Sequence, residues 1–106
     1  MYENLLERFI AYAKVDTRSD DSSYTVPSTH NQVTFALELA KELIRIGLEE
    51  VEYNETNGFL TATLPSNTAE AVPAIDFIAH LDTAAFNSDN IHPPVRCAYA
   101  AGNIGL

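Results

Sequence analysis

The chain has 106 residues, a net charge of −9 and a hydrophobic fraction of 46%, which suits one soluble domain with a modest core. Six basic residues scattered among fifteen acidic ones cannot form the cationic patch that a phosphate backbone requires, which excludes nucleic acid as a partner. A single cysteine, Cys97, excludes an internal disulfide and fits a reducing compartment.

The N-terminus is acidic where a secretory leader would be basic, and no apolar run reaches the roughly 20 residues of a membrane helix. A cytoplasmic protein with no membrane partner is therefore expected. Residues 2–14 predict a short amphipathic helix. Leu5 and Phe9, then Leu6 and Ile10, stand one turn apart, Ala13 continues that face, and Glu3, Glu7 and Arg8 lie opposite. Tyr2 and Tyr12 extend the side expected to pack.

Val15 to Pro27 is rich in Asp, Ser and Thr and reads as a polar connection. The Asp20-Asp21 pair has no regular ligand spacing after it, so a solvated loop is the expectation there. A second helix starts at Thr29, which with Gln32 makes a capping box. Val33, Ala36, Leu37, Ala40, Leu43 and Ile44 recur at helical spacing, and Gly47 with Leu48 predicts a left-handed stop. His30, in the first turn, reads as an ordinary surface histidine.

From Val51 the period changes to two. Val51 and Tyr53 alternate with Glu50, Glu52 and Asn54, Asn57-Gly58 signals a hairpin turn, and Phe59 to Leu64 returns until Pro65 stops it. After a loop from Ser66 to Val72, the stretch Pro73 to Thr83 reads as a central strand. Ile75, Phe77 and Ala79 face one way and Ala74, Asp76, Ile78 and His80 the other, so both faces are expected to be buried. Asp76 would then need a partner. Helices lying on a mixed sheet, an α/β arrangement, are the expected fold class.

That strand ends in His80-Leu81-Asp82-Thr83, at the end of a sheet where ligand sites gather. Residues i and i+2 of a strand share a face, so His80 and Asp82 can touch. A metal-binding histidine commonly gives its second ring proton to a carboxylate, which fixes tautomer and orientation. His80 is thus a candidate metal ligand and Asp82 its orienting carboxylate. His92, beside Pro93-Pro94 in an extended loop, is a weaker candidate ligand, and Cys97 reads as a small packing residue. Ala100 to Leu106 carries no recognisable stop and reads as a chain interrupted in mid-domain.

Four segments together carry a resemblance: Asp16-Thr17-x-Ser19; Pro27-Ser28-Thr29-x-x-Gln32; Asn57-Gly58-x-Leu60-x-Ala62-Thr63-Leu64-Pro65; and Ile75-x-Phe77-Ile78-x-His80-x-Asp82-Thr83. In this order they resemble the N-terminal part of the two-zinc aminopeptidases, carboxypeptidases and deacylases, and within them the tripeptide aminopeptidases. The resemblance implies an incomplete N-terminal part of a zinc-exopeptidase catalytic domain, spanning 1–106, with the second domain absent. It implies that His80 is the first metal-binding histidine and that Asp82 belongs to the catalytic apparatus as the carboxylate holding its ring. Its reaction is peptide-bond hydrolysis by a water bridging two zinc ions and deprotonated by a glutamate, with a small peptide as substrate. The bridging aspartate, that glutamate and the remaining ligands lie further along in the family. A catalytic zinc needs three or four protein ligands, so these 106 residues alone are expected to be inactive, and self-association through an unpartnered sheet edge is expected of them. The alternative is a small non-catalytic α/β binding module in which His80 and Asp82 are a structural pair.

Overall fold

The computed structural model describes residues 4–86 and 94–102. They belong to two units, one built on Asp16–Asn87 and the other on Met1–Val15 with Ser88–Leu106. In the larger unit the helix predicted from Thr29 runs over His30–Arg45, and the two strands Glu49–Asn54 and Phe59–Thr63 follow it. With the N-terminal helix Leu5–Ala13 as α1, these are α2, β1 and β2.

Helix α2 starts and stops where its chemistry dictates. Thr29 is extended, and the capping box with Gln32 is formed, the Thr29 backbone N–H donating to Gln32 Oε1 at 3.4 Å. At the far end Gly47 has φ +99°; its N–H bonds the carbonyl of Ile44 at 3.1 Å and the Leu48 N–H bonds that of Leu43 at 3.0 Å. This pair of bonds is a Schellman stop. Arg45 in the last turn complements the helix dipole.

Strands β1 and β2 pair antiparallel, with Tyr53 opposite Leu60 and Asn54 opposite Phe59. A bulge between Glu49 and Glu52 places one extra residue on β1, and Glu50 takes φ +50° there. Beyond the bulge the alternation is as expected, with Val51, Tyr53, Leu60 and Ala62 half-buried and their neighbours exposed. The turn differs from a two-residue hairpin. Residues 55–58 separate the strands, only Gly58 takes a positive φ (+73°), and the Asn57 side chain instead accepts the Phe59 N–H at 2.9 Å. Gly58 also sits against Pro27, close enough that an added Cβ would lie 2.6 Å from Pro27 Cγ.

Helix α2 lies on this hairpin. Ala36, 1% exposed, is the centre of the contact, with Val33, Ala40 and Leu43 half-buried around it. Leu37 and Ile44, expected to join that stripe, are 44% and 61% exposed because a two-stranded sheet covers only part of the helix face.

The α/β class stands, and three expectations within it need correction. The sheet of the described residues is antiparallel and two-stranded rather than mixed. Residues 73–82 form no strand, and Phe77 and Ile78 are 95% and 96% exposed instead of buried. A central strand needs a hydrogen-bonded neighbour on each edge, and β1 and β2 pair only with each other. Asp76 is accordingly exposed and faces water. Cys97, expected to pack, is exposed as well.

In the other unit α1 is helical as predicted. It starts at Asn4 in the left-handed region (φ +68°), and none of its residues is buried, Leu5 and Phe9 being 58% and 62% exposed. Ile10 and Tyr12 are half-buried, so the stripe expected to pack is covered only in part. No helix among the described residues is long and apolar enough to cross a membrane. Tyr2 and His92 lie outside the described residues.

Candidate functional site

The segment 16–20, read from the sequence as a plain connection, is what receives the His80-x-Asp82 segment. A parallel bridge pairs Arg18 with Thr83. The Thr83 N–H donates to the Thr17 carbonyl at 3.1 Å and the Ser19 N–H to the Thr83 carbonyl at 2.9 Å. Thr17, 3% exposed, is the most buried residue of this segment. The Arg18 guanidinium adds a bond from Nη1 to the Phe86 carbonyl at 3.3 Å.

His80 and Asp82 meet as the strand-end spacing predicted. His80 Nδ1 lies 2.7 Å from the Asp82 backbone carbonyl and 3.2 Å from Asp82 Oδ1. Both partners are acceptors, so the contact is made with a proton on Nδ1, which in the neutral ring leaves the lone pair on Nε2. The ring is 83% exposed, which leaves that lone pair open to an incoming cation.

The other carboxylate oxygen of Asp82 is held by a residue noted in the sequence only as part of one segment of the resemblance. Ser19 Oγ–H donates to Asp82 Oδ2 at 3.1 Å. Gln32 Nε2 in turn donates to Ser19 Oγ at 3.2 Å and to the Thr17 carbonyl at 3.0 Å. The Gln32 Oε1 side accepts from the Ser28 hydroxyl at 3.4 Å besides the Thr29 N–H, and Ser28 Oγ accepts the Asp20 N–H at 3.0 Å. Thr29 Oγ1 donates to the Arg18 carbonyl at 3.1 Å. The helix start, the 16–20 segment and the His80-x-Asp82 segment are thus one hydrogen-bonded assembly. The sequence signal was available, since Asp16-Thr17-x-Ser19 and Thr29-x-x-Gln32 stood out as motifs. Their use was hidden because the pairing is long-range.

The Ser19 hydroxyl holds the Asp82 carboxyl below its ordinary value of 3.8, against a smaller opposing effect of desolvation, and the His80 contact works in the same direction as Ser19. Asp20 is held low by the hydroxyl and backbone N–H of Ser22, at 2.6 and 2.9 Å from Asp20 Oδ1. Asp20 and Asp21 are exposed, as expected of a solvated turn. They line an open depression of about 450 Å³ with Asp16, Arg18, Thr29 and Phe86. Among the described residues no group of three His, Cys, Asp or Glu side chains is placed to hold a metal ion. His80 and Asp82 are therefore a hydrogen-bonded pair and not by themselves a metal centre.

No family model matches the chain. It is 58% identical over 95 residues to Peptidase T of Enterococcus faecalis, an alignment covering 90% of this chain and 23% of that relative. Peptidase T of Streptococcus pyogenes is 52% identical over 106 residues, covering 99% of this chain and 26% of the relative. Peptidase T of Streptococcus uberis is 52% identical over 107 residues, covering 100% and 26%. The chain spans about a quarter of the length of the curated relatives it matches.

Proposed function

The chain belongs to the peptidase T family, of whose members it spans about a quarter, and from that premise we propose that it contributes the first ligand of the metal site of a zinc-dependent aminopeptidase. The substrate is a tripeptide, and the products are its N-terminal amino acid and a dipeptide. The protein acts in the cytoplasm, a reading supported by the lone cysteine, which fits a reducing compartment.

The observation that carries this reading is the state of His80. With Nδ1 committed to two acceptors on Asp82, an exposed imidazole presents Nε2 to a cation, which fits zinc by ligand type. Asp82 fixes the ring and raises its basicity as a donor. Ser19 and the 16–20 segment hold Asp82, and the backbone bridge to Thr83 fixes where the pair sits. When bound, zinc supplies Lewis-acid polarisation of the scissile carbonyl and an acidified water. One ligand is short of the three or four that a catalytic zinc needs, so the described residues supply part of the site, and the 106-residue chain alone is inactive.

The test has two arms. Zinc titrated into the ¹⁵N-labelled chain should shift the His80 Nε2 resonance weakly and leave Nδ1 protonated, with no such response in His80→Ala. The protein encoded by the gene carrying this sequence should release the N-terminal residue from a tripeptide, and His80→Ala should abolish that release. Unchanged hydrolysis in His80→Ala would overturn the proposal.

A further inference from the structure

The direction of each hydrogen bond around Asp82 is determined, because every chain of bonds there ends on a group that can act in only one way. The Thr17 carbonyl can only accept, so the Gln32 amide must turn its NH₂ toward it, and that same NH₂ reaches Ser19 Oγ. Gln32 is 6% exposed, and its Oε1 faces two donors, the Thr29 N–H and the Ser28 hydroxyl. The amide therefore has no alternative orientation. Ser19 Oγ accepts from Gln32, and its own proton is left to point at Asp82 Oδ2. With Oδ2 held, Oδ1 faces His80 Nδ1.

We propose that Ser19 is a positioning residue for His80, acting through Asp82, and that the buried Gln32 amide sets the direction in which the Ser19 hydroxyl points. This rests on the reading of His80 as a metal ligand. Ser19 and Gln32 touch neither metal nor substrate. Their effect is to keep the Asp82 carboxylate in one rotamer, so that the His80 ring is gripped by the side chain as well as by the backbone carbonyl at 2.7 Å.

Three variants separate this role from a merely structural one. Ser19→Ala keeps both backbone bonds of the bridge, made by the Ser19 N–H and the Thr17 carbonyl, and removes only the hydroxyl. Ser19→Thr restores a hydroxyl. Gln32→Glu keeps an acceptor for the Thr29 N–H and removes the donor, so the Ser19 proton is drawn toward residue 32 and away from Asp82. The first readout is the Asp82 χ1 rotamer, from three-bond couplings in the labelled chain without metal. The second is zinc affinity read at His80 Nε2. The expected result is one Asp82 rotamer in the unmodified chain and in Ser19→Thr, with averaging in Ser19→Ala and Gln32→Glu. Zinc affinity should fall about tenfold in the two averaged variants, the low end for loss of a ligand's supporting contact.

A fixed Asp82 rotamer and unchanged zinc affinity in folded Ser19→Ala would overturn the proposal. If Gln32→Glu does not fold, the unmodified chain still decides, since averaged Asp82 couplings or a His80 protonated at Nε2 would equally overturn it. An Asp82 rotamer that follows Ser19 while tripeptide hydrolysis ignores His80 would remove the proposed function and leave the positioning role standing.

Discussion

Two glycines with positive φ separate backbone strain from steric overlap. Gly47 (φ +99°) has nothing within 4 Å of an added Cβ, whereas at Gly58 (φ +73°) such an atom would lie 2.6 Å from Pro27 Cγ and 2.9 Å from Pro27 Cδ. Alanine at either position must hold a left-handed conformation, at about 1–2 kcal/mol. At Gly58 it must also displace a proline ring that cannot swing aside, an overpacking cost of about 1–3 kcal/mol. Gly47→Ala should therefore cost about 1–2 kcal/mol and Gly58→Ala about 2–5 kcal/mol. Urea unfolding followed by far-ultraviolet circular dichroism measures both, with the denaturant slope checked for constancy. A Gly58→Ala penalty no larger than that of Gly47→Ala would refute the contact between the hairpin turn and the 16–28 segment.

Thr29→Ala removes both the cap of α2 and the hydroxyl bond to the Arg18 carbonyl, so it should cost about 1 kcal/mol by the same unfolding assay. In the metal-free chain the Asp82 carboxyl should titrate below 3.8, and Ser19→Ala should move it up toward that value, as read from carboxyl ¹³C shifts. Because the folded value is the lower one, the stability it confers is fully present above about 3.9, the unfolded-chain value, and is lost as pH falls through the folded value. Ser19→Ala should flatten that acid limb. The double substitution Phe77→Ser, Ile78→Ser alters side chains that are nearly fully exposed. It should leave stability within about 0.5 kcal/mol while reducing self-association in sedimentation velocity, and a large loss of stability would mean that the segment is packed after all.

Local signals carried the helices and the hairpin. The Thr29-Gln32 box, the Gly47-Leu48 stop and the alternation around Val51 and Tyr53 act over a few residues, and each appears where the sequence placed it. The His80–Asp82 contact was equally legible, because the two residues stand only two positions apart. What failed was inference about neighbours. Ile75, Phe77 and Ile78 have the composition of a buried strand, but burial is a property of what covers a segment, and composition does not supply a cover. Ser19 and Gln32 were hidden for the converse reason. Their local jobs in a loop and a cap were sufficient to explain them, and the longer-range bonds add a second job to the same atoms. The four-residue form of the turn was missed because Asn57 satisfies the backbone with its side chain rather than by taking a positive φ.

The link between Ser19 and Gln32 spans 13 residues of chain, whereas that between Ser19 and Asp82 spans 63. Each doubling of a closed loop costs about 0.6 kcal/mol, so more than two doublings make the second link harder to close by about 1.4 kcal/mol. During folding the socket around Ser19 can form together with α2, and the segment carrying His80 arrives afterwards, across an exposed tether. The same order runs backwards on opening: His80 is the first part of the assembly to leave, without the helix or hairpin unravelling. A protease that cuts between Leu64 and Ile78 would then release the histidine from its socket and leave the α2–hairpin core as it was.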